Sequence, residues 1–366
     1  MSDFKNISSN HPLHAYRKCV DHFMPIVYNS SYDVYFFKIE TIHPFDTKKW
    51  SKIAANLEEY FKIKYPKGSS HDIIDNNNNN NNTLTYCISP SHYITKDELS
   101  LVHTRSFICR MHCSPLSVAK ASEVCPLVLC PICITERKLL QPIKWQTSGS
   151  ILAGFLALKY GWAINIGGGF HHCSANSAQG FCLFADITLT IRYLWQEVSD
   201  RLNILIVDCD VHQGNGYARD VLSMKPPEQK RIYILDLFNP NIFPGDTIAE
   251  TAINRVIYLK SKIDDKEYLS LLEFHMEAIL TTDHFKPDLI IYNAGTDILI
   301  GDPLGRLRIS ANGITKRDEI VFSFAKQYNI SIVMLLSGGY QRSSAQVIAQ
   351  SIRNLFDKQI LDVINN

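Results

Sequence analysis

The sequence predicts an α/β protein, a single domain in which a mostly parallel central sheet is flanked by helices. Three observations lead there. From Ser148 onward, short apolar runs alternate with longer stretches of helical period, the pattern of βα units around a parallel sheet. Four of the five apolar runs end in loops rich in Gly, Asp and His, as expected where an open parallel sheet gathers one ligand site at the carboxyl ends of its strands. The composition, 46% apolar and 20% charged over 366 residues, is that of an ordinary globular chain able to bury a sizeable core.

The elements follow in order. Residues 1–25 read as an N-terminal extension, and its first 20 residues hold no apolar run of signal-peptide length. No stretch supplies the ~20 apolar residues of a membrane span. The richest, 108–134, is interrupted by Arg110, Lys120, Glu123 and three prolines. The ten cysteines are therefore expected to be reduced thiols of an intracellular protein. Residues 46–64 form an amphipathic helix by the spacing of Trp50, Ile53, Leu57, Tyr60 and Phe61. Polar residues 67–70 and seven consecutive asparagines at 76–82 mark a disordered insertion around 67–83, because such a tract cannot offset its ordering entropy. Within a domain spanning 26–358, the candidate buried strands are 162–166, 204–207, 232–235, 289–292 and 332–336. The helical stretches between and after them are 187–198, 267–280, 315–328 and 345–356; residues 359–366 read as a tail.

Charge excludes some functions. With 37 Lys+Arg against 36 Asp+Glu the net charge is +1, so no basic face is expected to bind nucleic acid directly or an anionic membrane. Any recognition of a basic substrate has to be local.

The strand-end loops carry the chemistry. Asp208, Asp210 and His212 follow one strand at two-residue spacing, which places them on one face. Asp297, at the mouth of another strand, can complete a three-ligand set of the kind that leaves a coordination position open for water or substrate. Zinc, iron(II) or another divalent ion satisfies such a set. His171 and His172 follow a triple glycine, where neighbouring imidazoles can serve as base and acid around a metal-activated water. Asp208 is the carboxylate that would hold one of them in a single tautomer. Gly338-Gly339-Tyr340 ends the last strand with a tight turn and a hydroxyl that can donate toward an oxyanion. The pair Cys130-x2-Cys133, with His112 and Cys113 nearby, has half the spacing of a zinc knuckle; without a second pair these cysteines read as small buried hydrophobes.

Taken together, Gly167-Gly168-Gly169-Phe170-His171-His172-Cys173-Ser174, Gly180-Phe181-Cys182, Asp210-Val211-His212-Gln213-Gly214-Asn215-Gly216, Gly295-Thr296-Asp297, Gly301-Asp302-Pro303-Leu304-Gly305 and Ser337-Gly338-Gly339-Tyr340 resemble the zinc-dependent histone deacetylases, specifically their class IV branch. His43-Pro44-Phe45-Asp46 and Val102-His103-Thr104-Arg105 are similar to the same branch. The resemblance implies an arginase/deacetylase fold and hydrolysis of Nε-acyl-lysine in histone or other proteins. One Zn2+ would be held by Asp210, His212 and Asp297, with a structural K+ at Asp208. It further implies His172 as general base, His171 paired with Asp208, Tyr340 polarising the acyl carbonyl, and Gly180, Phe181 and Phe243 around the channel for the lysine stem. A corepressor complex as partner, and residence in nucleus or cytoplasm, belong to the same implication. Asn215 stands where the better-known class I pattern has Asp, which implies weak activity on acetyl-lysine and leaves the acyl length open. Gly214 and Gly295 replace the bridging ligands of a binuclear manganese ureohydrolase. An acetylpolyamine-like amidohydrolase and a non-catalytic scaffold retaining the fold remain the competing readings.

Overall fold

Nine strands are described in residues 22–35, 46–65 and 86–365 of a computed structural model. They are β1 (His22–Phe23), β2 (Ile26–Val27), β3 (Trp162–Asn165), β4 (Ile204–Asp208), β5 (Ile232–Phe238), β6 (Arg255–Tyr258), β7 (Leu289–Asn293), β8 (Ser331–Leu335) and β9 (Ile364–Asn365). Seven form one sheet, ordered β2-β3-β8-β7-β4-β5-β6, and every pairing in it is parallel. β1 and β9 make a separate antiparallel pair. The expected asparagine-rich insertion at 67–83, the first 21 residues of the expected N-terminal extension and the motif residues His43, Pro44 and Phe45 lie outside the described residues.

All five candidate strands are present, and the central ones are fully buried along their length. Two-sided burial explains why they read as continuous apolar runs rather than alternating ones. The four expected helices are found at Asp186–Glu197, Asp265–Thr281, Ala311–Gln327 and Ser344–Asp357. The amphipathic helix starts at Lys49 rather than 46, because Asp46 caps a preceding turn: its carbonyl accepts from the Lys49 amide at 3.0 Å and its carboxylate from the Lys48 amide at 3.2 Å. Its apolar face meets the helix Ser344–Asp357, where Phe61 packs edge-on against Phe356 at 5.0 Å. Helix Gln141–Tyr160 is buried around most of its circumference and ends at Gly161 in a left-handed conformation.

The cysteines of the 109–133 stretch correct one expectation. Cys109, Cys113, Cys125 and Cys133 are exposed and Cys130 is half-buried, whereas Cys173, Cys182 and Cys209 are buried. The short helices there bury Phe107, Ile108, Met111, Val118 and Leu127 instead, which leaves the thiols on the outer face. Among the described residues no helix is long and apolar enough to cross a membrane.

Candidate metal centre and active site

Because the strands of the main sheet all run the same way, the loops after β3, β4, β7 and β8 meet at its carboxyl end. Strand β4 stops at Asp208, which lies in register with Asp236 on β5 and Asn293 on β7. Beyond it the chain folds back on its own carboxylates: the Asp210 amide donates to Asp208 Oδ1 at 3.1 Å and the His212 amide to Asp210 Oδ1 at 3.0 Å. These local bonds are the turn chemistry of Asp, and they alter the expected single face. Asp208 turns to His171, while Asp210 and His212 turn to Asp297.

The ligand atoms of Asp210, His212 and Asp297 lie within 4.8 Å of one another, and all three residues are buried. His212 Nδ1 is 3.0 Å from Asp210 Oδ1 and 3.1 Å from Asp297 Oδ2. The other carboxylate oxygens are tied down from outside. Asp210 Oδ2 accepts from the Gly338 amide and the Ser337 hydroxyl, each at 2.9 Å, and Asp297 Oδ1 accepts from the Val211 amide at 3.0 Å. Glycine is required at two walls of this cradle, since a Cβ at Gly338 would collide with both carboxylates and one at Gly295 with Asp210.

Burial, followed by the neighbouring Asp210, pushes the Asp297 carboxyl up to about 7. Burial also opposes ionisation of Asp210, but His171 and His212 outweigh it and hold Asp210 well below the usual carboxylate range. Burial works against a charge on His212 as well, yet its bonds to the two carboxylates raise it to about 10. Two carboxylates and an imidazole forced together away from water form a donor set that a divalent cation neutralises. The converging atoms and the glycine cradle fit zinc.

The two neighbouring histidines, 4.0 Å apart between ring centroids, differ in charge. His171 Nδ1 lies 2.9 Å from Asp208 Oδ2; although burial opposes the charge, Asp208 and Asp210 raise His171 to about 9. Burial, then His171 and His212, drive His172 well below its ordinary value, so it is neutral. Its Nδ1 is 2.8 Å from Asn215 Oδ1, an oxygen that can only accept. The proton must therefore sit on Nδ1, and Nε2 keeps its lone pair.

Tyr340 is half-buried, edge-on to His212 with 6.2 Å between centroids, and its amide donates to Asp302 Oδ2 at 2.9 Å. Phe181 lies 6.0 Å from the Tyr340 ring, and the 42% exposed Phe243 packs edge-on against His172 at 4.9 Å. Gly180 fits between them, since a Cβ there would press on both His172 and Phe243. A largely apolar cavity opens beside Gly180 and Phe181. His171, His172, Asp210 and Tyr340 line one part of it, and Trp50, Val124, Leu127, Leu139 and Ile143 line the apolar remainder.

Several residues that hold the site were not singled out in the sequence. Lys49, fully buried, donates from Nζ to the carbonyls of Ser337 at 2.7 Å and Gly338 at 3.2 Å, bracing the turn before Tyr340. Burial lowers its pKa to about 8. Its only sequence signal is its place four residues before Ile53 on the apolar side of an amphipathic helix. Arg317, also buried, donates to the carbonyls of Gly295 and Ala294 just ahead of Asp297. Asp186 accepts from the amides of Gly169 and Phe170, each at 2.8 Å, fixing the glycine turn ahead of the histidines.

Fold and site thus define a parallel α/β protein whose strand-end loops bring together three residues able to hold a metal ion, beside two histidines and a tyrosine. The particular family is given by comparison. Residues 43–356 match the histone deacetylase domain, and the chain belongs to that family of hydrolases. It is 42% identical over 331 residues to "Histone deacetylase 2" of Arabidopsis thaliana, covering 90% of this chain and 78% of that one. It is 28% identical over 268 residues to "Acetoin utilization protein AcuC" of Staphylococcus xylosus, covering 69% and 66%. Among solved structures, the HDA15 HD domain matches in fold with a TM-score of 0.66 at 18% identity, covering 93% of this chain and 90% of that one.

Proposed function

We propose that the protein is a class IV-type deacylase that hydrolyses the amide of Nε-acyl-lysine in proteins, with zinc held by Asp210, His212 and Asp297. The observation that carries this reading is the pairing of three buried, converging ligand residues with His172, whose Nδ1 faces Asn215 and which lines the same cavity as Asp210. Zinc in that centre supplies Lewis acidity toward the acyl carbonyl and the attacking water. His172 takes the water proton at Nε2 and passes it to the leaving lysine nitrogen. His171, charged against Asp208, contributes a fixed positive field. The Tyr340 hydroxyl, with its pKa raised by burial and by Asp297 and so retaining its proton, donates to the oxygen on which charge develops. Gly180, Phe181 and Phe243 form the entrance for the aliphatic stem.

The apolar lining of the cavity, with Trp50, Leu127, Leu139 and Ile143, favours a fatty acyl group over acetyl. A monovalent cation near Asp208 belongs to the same reading. That carboxylate already meets His171, Tyr217, Asn293 and the Asp210 amide, so main-chain oxygens of Asp210 and His212 would be the main contacts. Acylated histone or other nuclear and cytoplasmic proteins are the proposed substrates, with a corepressor assembly as partner. Similarity to the acetoin utilization protein favours, as the second reading, a small-molecule substrate, for which an acetylpolyamine-like amide is the candidate. One peptide carrying acetyl-, octanoyl- or myristoyl-lysine tests the proposal: kcat/KM should rise with chain length. Hydrolysis of acylated small amines with none of the three peptides turned over would favour the second reading.

A further inference from the structure

The histidine read as the base is oriented by Asn215, an amide with two faces. A carboxylate there would accept from His172 Nδ1 whichever oxygen it presented. An amide does so only with its oxygen inward; turned over, its NH2 would face Nδ1, force the proton onto Nε2 and remove the lone pair. The structure contains a device that decides between the two. Asn215 Nδ2 donates to Asp246 Oδ2 at 3.2 Å, a contact available only when Oδ1 faces His172. Asp246 is itself fixed on several sides. Arg219 grips its carboxylate, with Nη2 2.8 Å from Oδ1. Gln213 clamps its backbone through reciprocal 2.9 Å bonds, Nε2 to the Asp246 carbonyl and the Asp246 amide to Oε1. Asp246 also caps the short helix Thr247–Glu250 through the Ala249 amide at 3.1 Å.

We infer that Asp246 is a positioning residue for catalysis, which holds the Asn215 amide with its oxygen toward His172 and thereby keeps His172 in the tautomer that can accept a proton. The inference rests on the reading of His172 as the base. With Asp246 removed, the freed Arg219 guanidinium draws the Asn215 oxygen outward and presents the NH2 to His172. One charge-assisted hydrogen bond then biases the wrong tautomer, so kcat should fall on the order of 10- to 100-fold with KM little changed.

The test measures kcat and KM on an acyl-lysine peptide for Asp246→Ala, Asn215→Asp and the double variant. Asp246→Ala should lose kcat. Asn215→Asp in that background should restore it, because the introduced carboxylate has no donor face and needs no outer partner. Alone, Asn215→Asp sets two carboxylates against each other and should gain little. A purely structural role for Asp246 as helix cap and Arg219 partner predicts a loss that Asn215→Asp leaves unrepaired, and that result overturns the inference, as does wild-type kcat in Asp246→Ala. Should Asp246→Ala fold poorly, Asp246→Asn keeps the cap and an acceptor oxygen while losing the charge. It should show a several-fold smaller kcat that Asn215→Asp repairs; an unrepaired loss or wild-type kcat counts against the inference. Full activity in His172→Ala would instead remove the functional reading beneath it.

Discussion

His103 offers a quantitative test of how the segment carrying Gly180 and Phe181, which line the cavity, is held. It is 2% exposed, stacked on Phe107 at 4.5 Å and edge-on to Phe184 at 5.9 Å. The Ala185 amide donates to Nε2 at 3.0 Å, so the proton is on Nδ1, which faces the Ala175 carbonyl at 3.2 Å. The ring therefore stitches together the two ends of the 175–185 segment, which includes Gly180 and Phe181. Burial lowers its pKa from 6.5 to about 4. Between those values the unfolded chain binds the proton and the folded protein does not, so stability falls as pH falls through this window. At 1.36 kcal/mol per unit the full loss is roughly 3 kcal/mol, of which about 2 kcal/mol is reached by pH 5. Asp220, raised by burial to about 6, has the opposite sign over the same range, so the wild-type slope alone is ambiguous. Urea unfolding of wild type and His103→Gln at pH 7.5 and 5.0 isolates the residue: the variant should lose about 2 kcal/mol less than wild type on acidification. Equal losses in the two proteins would refute the assignment of His103 as a buried, neutral clamp.

Three further outcomes follow from the site. His172→Ala should retain stoichiometric zinc, measured by elemental analysis, and lose turnover, since no metal ligand is removed; full activity would contradict its role as base. Tyr340→Phe should lower kcat on the order of 10²-fold with a smaller change in KM, because the hydroxyl acts on charge that develops after binding. Ile143→Trp puts a larger side chain into the apolar lining of the cavity and should depress kcat/KM for a myristoyl-lysine peptide far more than for the acetyl peptide. Equal effects on both would place the acyl chain elsewhere.

Much of this molecule was legible in its sequence where one physical signal dominated. Strands buried on both faces appear as unbroken apolar runs, so β3, β4, β5, β7 and β8 were found. The edge strand β6 was not, because only Ile257 of its four residues is buried, and β2 is two residues long. Helix Gln141–Tyr160 escaped because, buried nearly all round, it has little amphipathic period. At the site, the strand-end loops advertised Asp210, His212, Asp297, the paired histidines and Tyr340. Lys49, Arg317 and Asp246 left little trace, since each acts on a carbonyl or amide far from it in sequence. Asp246 sits 31 residues from Asn215. No local spacing rule reaches across such distances; only the folded sheet brings them together.

The proposed function requires that Asp210, His212 and Asp297 hold a zinc ion that acts with His172 on an acyl-lysine amide. Its most direct test is the metal content of the purified protein set beside its turnover of acetyl- and myristoyl-lysine peptides, before chelation, after it and after zinc is restored. One zinc per chain is expected, with turnover that disappears with the metal and returns with it, and neither in Asp297→Asn. One tightly held zinc per chain with no hydrolysis of either peptide would contradict the proposed function and leave a scaffold that has kept the family's fold.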